Sequence, residues 1–132
     1  MDRAQLTDWI EGYERAWRSP GTETLARLFT DDATYSTAPY ENPHRGLEAI
    51  GAMWEAERVS AGEEFEMASE MVAVEGDTGV VRVEVHYGPP NQREYRDLWI
   101  VRLDGSGRCF QFEEWPFWPP GSAGTVAAGT EG

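Results

Sequence analysis

Asp97 and Glu114 each sit where an alternating apolar stripe calls for another hydrophobic side chain. In REYRDLWIVRL (residues 93–103), Tyr95, Trp99, Val101 and Leu103 fall on one side, with Arg96, Leu98, Ile100 and Arg102 on the other. Only the first side is free of arginine, so it is read as the inward face. In RCFQFEEW (residues 108–115), Phe110 and Phe112 mark the inward phase and Gln111 and Glu113 the outward one. The Asp-Gly-Ser-Gly break between the two runs predicts a tight hairpin. A two- or four-residue loop sets Val101 opposite Phe110, Trp99 opposite Phe112 and Asp97 opposite Glu114. Carboxyls so opposed have Cβ atoms about 4.5–5.5 Å apart. Among aromatic neighbours both cannot ionise cheaply, so one pKa rises. Such a pair suits acid/base chemistry. It names no substrate.

Other polar and aromatic residues qualify that reading. Tyr13 on the first helix is placed to donate a hydrogen bond to a ligand oxygen, as an oxyanion requires. Trp17, Tyr35, Tyr40, Trp54, Trp99 and Phe112 are the candidate cavity lining, since six tryptophans in so short a chain favour an aromatic wall. Aromatics at helical and strand spacing are also plain core. His44, in the loop before the third helix, is a second candidate proton carrier at the pocket mouth. His86 is read as structural, because a hairpin pairing Tyr87 with Arg93 sets His86 beside Glu94 and Glu84 beside Arg96 on the outward face. Glu113 adjoins the acid pair, and a one-residue bulge would swap it inward. No metal is expected: two histidines 42 positions apart and one cysteine give no zinc spacing, and no calcium loop is present. Cys109 falls in the outward phase and is not a nucleophile candidate. Gly105 and Gly107 are turn glycines rather than a phosphate cradle.

The totals bound the class. The 132 residues fit one domain with a single core. A formal net charge of −13 argues against nucleic acid and against anionic membrane surfaces. No apolar run approaches a membrane span, and MDRAQLTDW is too polar for a signal peptide. A lone cysteine excludes an internal disulfide and fits the cytoplasm. All eleven basic residues are arginine, which excludes a lysine Schiff base and hints at a GC-rich bacterial genome.

The elements that must hold these groups follow in order. Asp2 caps a first helix, with Gln5 completing a capping box, and Leu6, Ile10, Tyr13 and Trp17 form its apolar stripe. Ser19-Pro20-Gly21 ends it. A short second helix starts at Thr22, burying Leu25, Leu28 and Phe29, and a short strand covers residues 33–37. A proline-punctuated loop leads to a third helix over residues 47–58, with Leu47, Ile50 and Trp54 on one face. From Glu63 the period is two; Phe65 and Met67 share one phase and Val72 and Val74 the other, which predicts a bulge between Ala68 and Met71. Gly76-Asp77-Thr78-Gly79 turns into a strand ending at Tyr87. Helices followed by four antiparallel strands make an α+β plan with three N-terminal helices on one face of a strongly curved sheet. Residues 1–120 form the domain, and residues 121–132 read as a flexible tail.

The words WIEGYERAW, LARLFTDDATY, HRGLEAIGAMW and DLWIVRLDGSGRCFQFEEW together resemble the SnoaL-like members of the nuclear-transport-factor-2-like (NTF2-like) superfamily. The resemblance implies a cone-shaped fold, a pocket between helices and sheet, and frequent dimerisation through the sheet. It also implies a choice among isomerase-, hydrolase- and cyclase-like activities, all cofactor-independent. Tyr13 and Asp97 match the tyrosine and inward acid of the isomerase-like members. The general-base aspartate of those members has no counterpart here, where Tyr35, Tyr40 and Glu41 stand. Tyr95 replaces the arginine of the hydrolase-like Arg-x-Asp pattern. The expected protein binds a small hydrophobic molecule, with Asp97 and Glu114 moving a proton and Tyr13 polarising a carbonyl or epoxide oxygen. The alternative is a non-catalytic ligand-binding or dimerisation module. On the outward face Val80, Leu98, Ile100 and Trp115 suggest a homodimer contact, with Trp115 stacked on Arg96.

Overall fold

A computed structural model describes residues 1–58, 64–89 and 92–121. Helix α1 (Arg3–Arg18) starts where the capping box predicts. Asp2 accepts the Gln5 backbone N–H at 2.8 Å, and the Gln5 side chain accepts that of Asp2 at 2.9 Å. Its apolar stripe buries Leu6, Trp9, Ile10, Tyr13 and Ala16, and Ser19 caps the end in extended conformation ahead of Pro20. The second helix, α2 (Leu25–Leu28), is a single turn. Phe29, expected on that helix, already begins strand β1 (Phe29–Ser36). A two-residue strand β2 (His44–Arg45) lies within the proline-rich loop, and α3 (Leu47–Glu57) follows, burying Ile50, Gly51 and Trp54.

The remaining strands are β3 (Phe65–Glu75), β4 (Thr78–Tyr87), β5 (Arg93–Leu103) and β6 (Cys109–Phe117). They join the first two in one six-stranded sheet ordered β2-β1-β6-β5-β4-β3. Neighbours run antiparallel except β1 and β6, which are parallel. The α+β architecture with a curved sheet is therefore as expected. The four long strands form a meander, and their inward side chains pack against the helices. Tail residues 122–132 lie outside the described residues.

Two register predictions need correction. The β3 irregularity falls between Met71 and Ala73, so Val72 is the extra residue, slightly beyond the predicted window. Phase counting detects a slip but not where it is taken up. In the last hairpin, Val101 pairs with Phe112 and Trp99 with Glu114, while Asp97 faces Pro116. The turn takes five residues, closed by the Asp104 N–H donating to the Arg108 carbonyl at 2.8 Å, with Gly107 at φ +88°. The Asp104 carboxylate also gathers the Ser106 and Arg108 backbone N–H groups, which lengthens the loop by one. Phe110 then bulges out between the Leu103–Cys109 and Arg102–Gln111 pairs. Cys109 consequently points inward and is fully buried, not outward as its phase suggested. Arg96 faces Phe117 and Trp115 faces Leu98, so the predicted Trp115–Arg96 stack is not formed. The other pairings stand: His86 opposite Glu94 and Glu84 opposite Arg96 on the outward face, and Tyr87 opposite Arg93.

Where α1 crosses the sheet, Gly79 of β4 makes room for Leu6, since a methyl there would come within 2.6 Å of the Leu6 side chain. Leu6→Ala is expected to cost about 2–5 kcal/mol in urea unfolding. Gly79→Ala should cost less in that background than in the native one, because its methyl enters the vacated space.

Candidate active site

A cavity of about 430 Å³ opens between α1, α3 and the concave side of the sheet. Tyr13 and Trp17 reach it from α1, Trp54 from α3, Tyr35 from β1, Asp97 and Trp99 from β5, and Glu114 from β6. Seven of the expected site residues are thus brought together. Three others lie apart. Tyr40 is fully exposed in its loop, and Phe112 is fully buried in the core. His44 sits on β2 beside Tyr35 in register, outside the cavity lining.

Asp97 and Glu114 meet by a route other than the predicted one. They are diagonal neighbours on one face, because the pair opposite Asp97 is Pro116, two residues beyond Glu114. A diagonal separation of about 7–8 Å between backbones is within reach of two acidic side chains. The two carboxyls feel each other's charge, so ionisation of both together is disfavoured. Asp97 Oδ2 accepts the Trp99 indole N–H at 3.1 Å. Asp97 Oδ1 is buried and meets no hydrogen-bond donor among the described residues. Burial pushes both pKa values up. Glu114 rises further, because the Asp97 charge adds to burial, whereas hydrogen bonds from Glu114 and Trp99 hold Asp97 down. Glu114 is the member on which burial and the neighbouring charge act in the same direction. It is only half-buried by surface because it borders the cavity, while Asp97 is sealed beneath at 4% exposure.

A chain of hydroxyls extends from this pair. Tyr35 donates to Glu114 Oε1 at 2.7 Å, and the Tyr13 and Tyr35 hydroxyls lie 2.8 Å apart. Tyr35 has one hydrogen, so while it serves Glu114 the Tyr13 hydroxyl is the donor to Tyr35. Burial first, then the Glu114 charge, raises both phenol pKa values. The rings are locked by packing: Tyr13 lies 4.5 Å from Trp99 and 5.2 Å from Trp54, centre to centre, and Tyr35 lies 4.7 Å from Phe112.

Several lining residues went unread in the sequence. Phe65, Tyr87 and Tyr95 lie on inward stripes and were findable by extending each stripe past its apolar centre. Trp118 follows the last strand, carries no periodic signal, and reaches the cavity by packing on Tyr95 at 4.8 Å. On the outer face, Glu84, His86 and Glu94 bring ligand-type atoms within 4.8 Å of one another, a grouping that follows from the pairing of His86 with Glu94. The imidazole–Glu84 hydrogen bond at 2.8 Å accounts for the arrangement and raises the His86 pKa. Cys109 is no nucleophile, since burial pushes its thiol up to about 12.

These features define a class, and comparison with known proteins gives its name. The SnoaL-like domain family matches residues 10–111, and the chain belongs to that family. Among solved structures, a steroid delta-isomerase from Pseudomonas aeruginosa is 21% identical, with TM-score 0.64, covering 95% of this chain and 85% of its own. An LEH-like epoxide hydrolase of M. tuberculosis is 11% identical, with TM-score 0.63, covering 86% and 84%. A computationally designed 17-OHP binder is 18% identical, with TM-score 0.65, covering 85% and 91%. These likenesses are of fold. No curated protein sequence matches the chain. No helix among the described residues is long and apolar enough to cross a membrane.

Because the folded pair binds a proton at pH values where the unfolded acids have lost it, stability should fall as pH rises above about 4–5. Glu114→Gln keeps an acceptor for Tyr35 and supplies a permanent donor to Asp97. Urea midpoints measured between pH 4 and 8 should decline less steeply for this variant than for the native chain.

Proposed function

We propose that this SnoaL-like protein binds a small hydrophobic molecule and performs cofactor-independent acid/base chemistry on it, isomerase- or hydrolase-like, at a carbonyl or epoxide. The observation that carries the reading is the placement of two acids, Asp97 and Glu114, both with raised pKa values, at the wall of an aromatic cavity. Glu114 borders the ligand space and exchanges protons with it. With its own proton passed to Asp97, Glu114 takes a proton from the ligand, which leaves both acids neutral, and returning one proton to the ligand restores the single charge, so the pair never carries two charges in a low-dielectric setting.

Tyr13 polarises the ligand oxygen once the hydroxyl chain turns round. When Glu114 donates to Tyr35, Tyr35 donates to Tyr13 and Tyr13 is freed to donate into the cavity. The same contacts thus support acid and base roles without side-chain movement. Trp17, Tyr35, Trp54 and Trp99 contribute the binding surface. The protein works in the cytoplasm as a homodimer joined through the outer sheet face at Val80, Leu98, Ile100 and Trp115.

A non-catalytic binding module is the second reading. It is favoured by the orientation of Tyr13 toward Tyr35 and by the likeness to a designed binder.

The test is a panel of cyclic ketones and epoxides incubated in D2O and followed by NMR for deuterium uptake beside the carbonyl and for ring opening. Asp97→Asn and Glu114→Gln should each lower the rate by about 10²–10⁴-fold with ligand affinity little changed. Binding without turnover by any panel member selects the second reading.

A further inference from the structure

The donors seen to reach the acid pair are neutral: the Tyr35 hydroxyl donates to Glu114 and the Trp99 indole to Asp97. Arg93 lines the mouth, with its guanidinium 3.9 Å above the Tyr87 ring. Burial and mutual repulsion disfavour ionisation of both acids together, and whatever charge Asp97 and Glu114 carry is negative. The hydroxyl chain runs toward that charge: Tyr13 serves Tyr35, Tyr35 serves Glu114, and Trp99 serves Asp97. As it stands, the floor presents oxygen lone pairs to an occupant rather than hydrogens. A carbonyl oxygen needs the whole chain to reverse; a donor does not.

The walls have matching character. The indole of Trp17 and the phenol rings of Tyr87 and Tyr95 face the cavity alongside Trp118. The Trp17 indole N–H is itself spent on the Tyr87 hydroxyl at 2.9 Å. Aromatic faces attract cations through their quadrupoles, most strongly when water is excluded. The formal charge of −13 on the whole chain adds a long-range field of the same sign.

We infer that the cavity takes lipophilic amines, bound as N–H-donating ammonium ions with the nitrogen at Glu114 and the carbon skeleton against the aromatic walls. This goes beyond the proposed reaction and does not depend on it. An ammonium seated at Glu114 occupies the group that would move the proton, so amines compete with a carbonyl or epoxide for the site.

The experiment is titration calorimetry at pH 7 with 2-(1-naphthyl)ethylammonium chloride and its neutral counterpart 2-(1-naphthyl)ethanol. The ammonium ion is expected to bind the native protein at least about tenfold more tightly, the size of one charge-assisted contact. Removing both charges in Asp97→Asn/Glu114→Gln should abolish that preference, whereas either single change leaves one ionisable acid and retains part of it. Equal affinity for amine and alcohol on the native chain overturns the inference, as does failure of the amine to bind at millimolar concentration. A folded double variant that still prefers the amine overturns it as well. These outcomes are read by binding alone, so they leave the turnover assay to judge the reaction separately.

Discussion

Two carboxyls inside an aromatic wall can coexist only if they share a proton, and the surroundings of Asp97 and Glu114 follow from that constraint. Full ionisation of both would set like charges together where water cannot screen them. Full protonation would leave the Trp99 indole and the Tyr13–Tyr35 hydroxyl chain serving a neutral group. A pair that is not fully ionised, served by the Tyr35 hydroxyl and the Trp99 indole, is the arrangement that satisfies the most polar atoms. Its upkeep requires rigid neighbours, and the packed rings of Trp9, Tyr13, Trp99 and Phe112 supply them.

The sheet tolerates a large registration error at this site because of parity. The last hairpin is displaced by two residues from the simplest reading, one taken by the longer turn and one by the Phe110 bulge. Two steps along a strand return a side chain to the same face, so Glu114 still points inward and meets Asp97 diagonally. A displacement of one would have sent Glu114 outward and brought Glu113 in. The same arithmetic reverses Cys109, which lies before the bulge and gains an inward position. The β3 bulge at Val72 does the corresponding work at the other edge of the sheet.

Cavity and core are built from one aromatic cluster, and the division between them is a matter of depth. Trp99 touches both, with its ring among Trp9, Tyr13 and Phe112 and one surface on the open space. Phe112 is one layer further in and serves only to hold Tyr35 and Tyr13 in place. The fold is shared with solved structures of an isomerase, an epoxide hydrolase and a designed binder, and fold alone does not fix chemistry. Asp97, Glu114, Tyr13 and Tyr35 are among the polar groups that interrupt the aromatic lining here.

Local patterns in the sequence determined the helix α1 and its cap, the order of elements, the inward stripes of β4 and β5, and the unusual placement of Asp97 and Glu114 within apolar phases. Each depends on neighbours a few residues apart, where periodicity of 3.6 or 2 is a direct consequence of backbone geometry. The family was legible for the same reason, in short contiguous words. The tertiary structure alone decided the diagonal meeting of the acids, the alignment of Tyr13 with Tyr35 and the recruitment of Trp118, and it alone left Tyr40 in solvent and Phe112 behind the wall. Those outcomes depend on bulge position, on a turn lengthened by the Asp104 side chain, and on contacts between residues as far apart as Tyr35 and Glu114. Periodicity counts faces along one strand; it carries no information about how far a neighbouring strand has slid or how deep a ring lies.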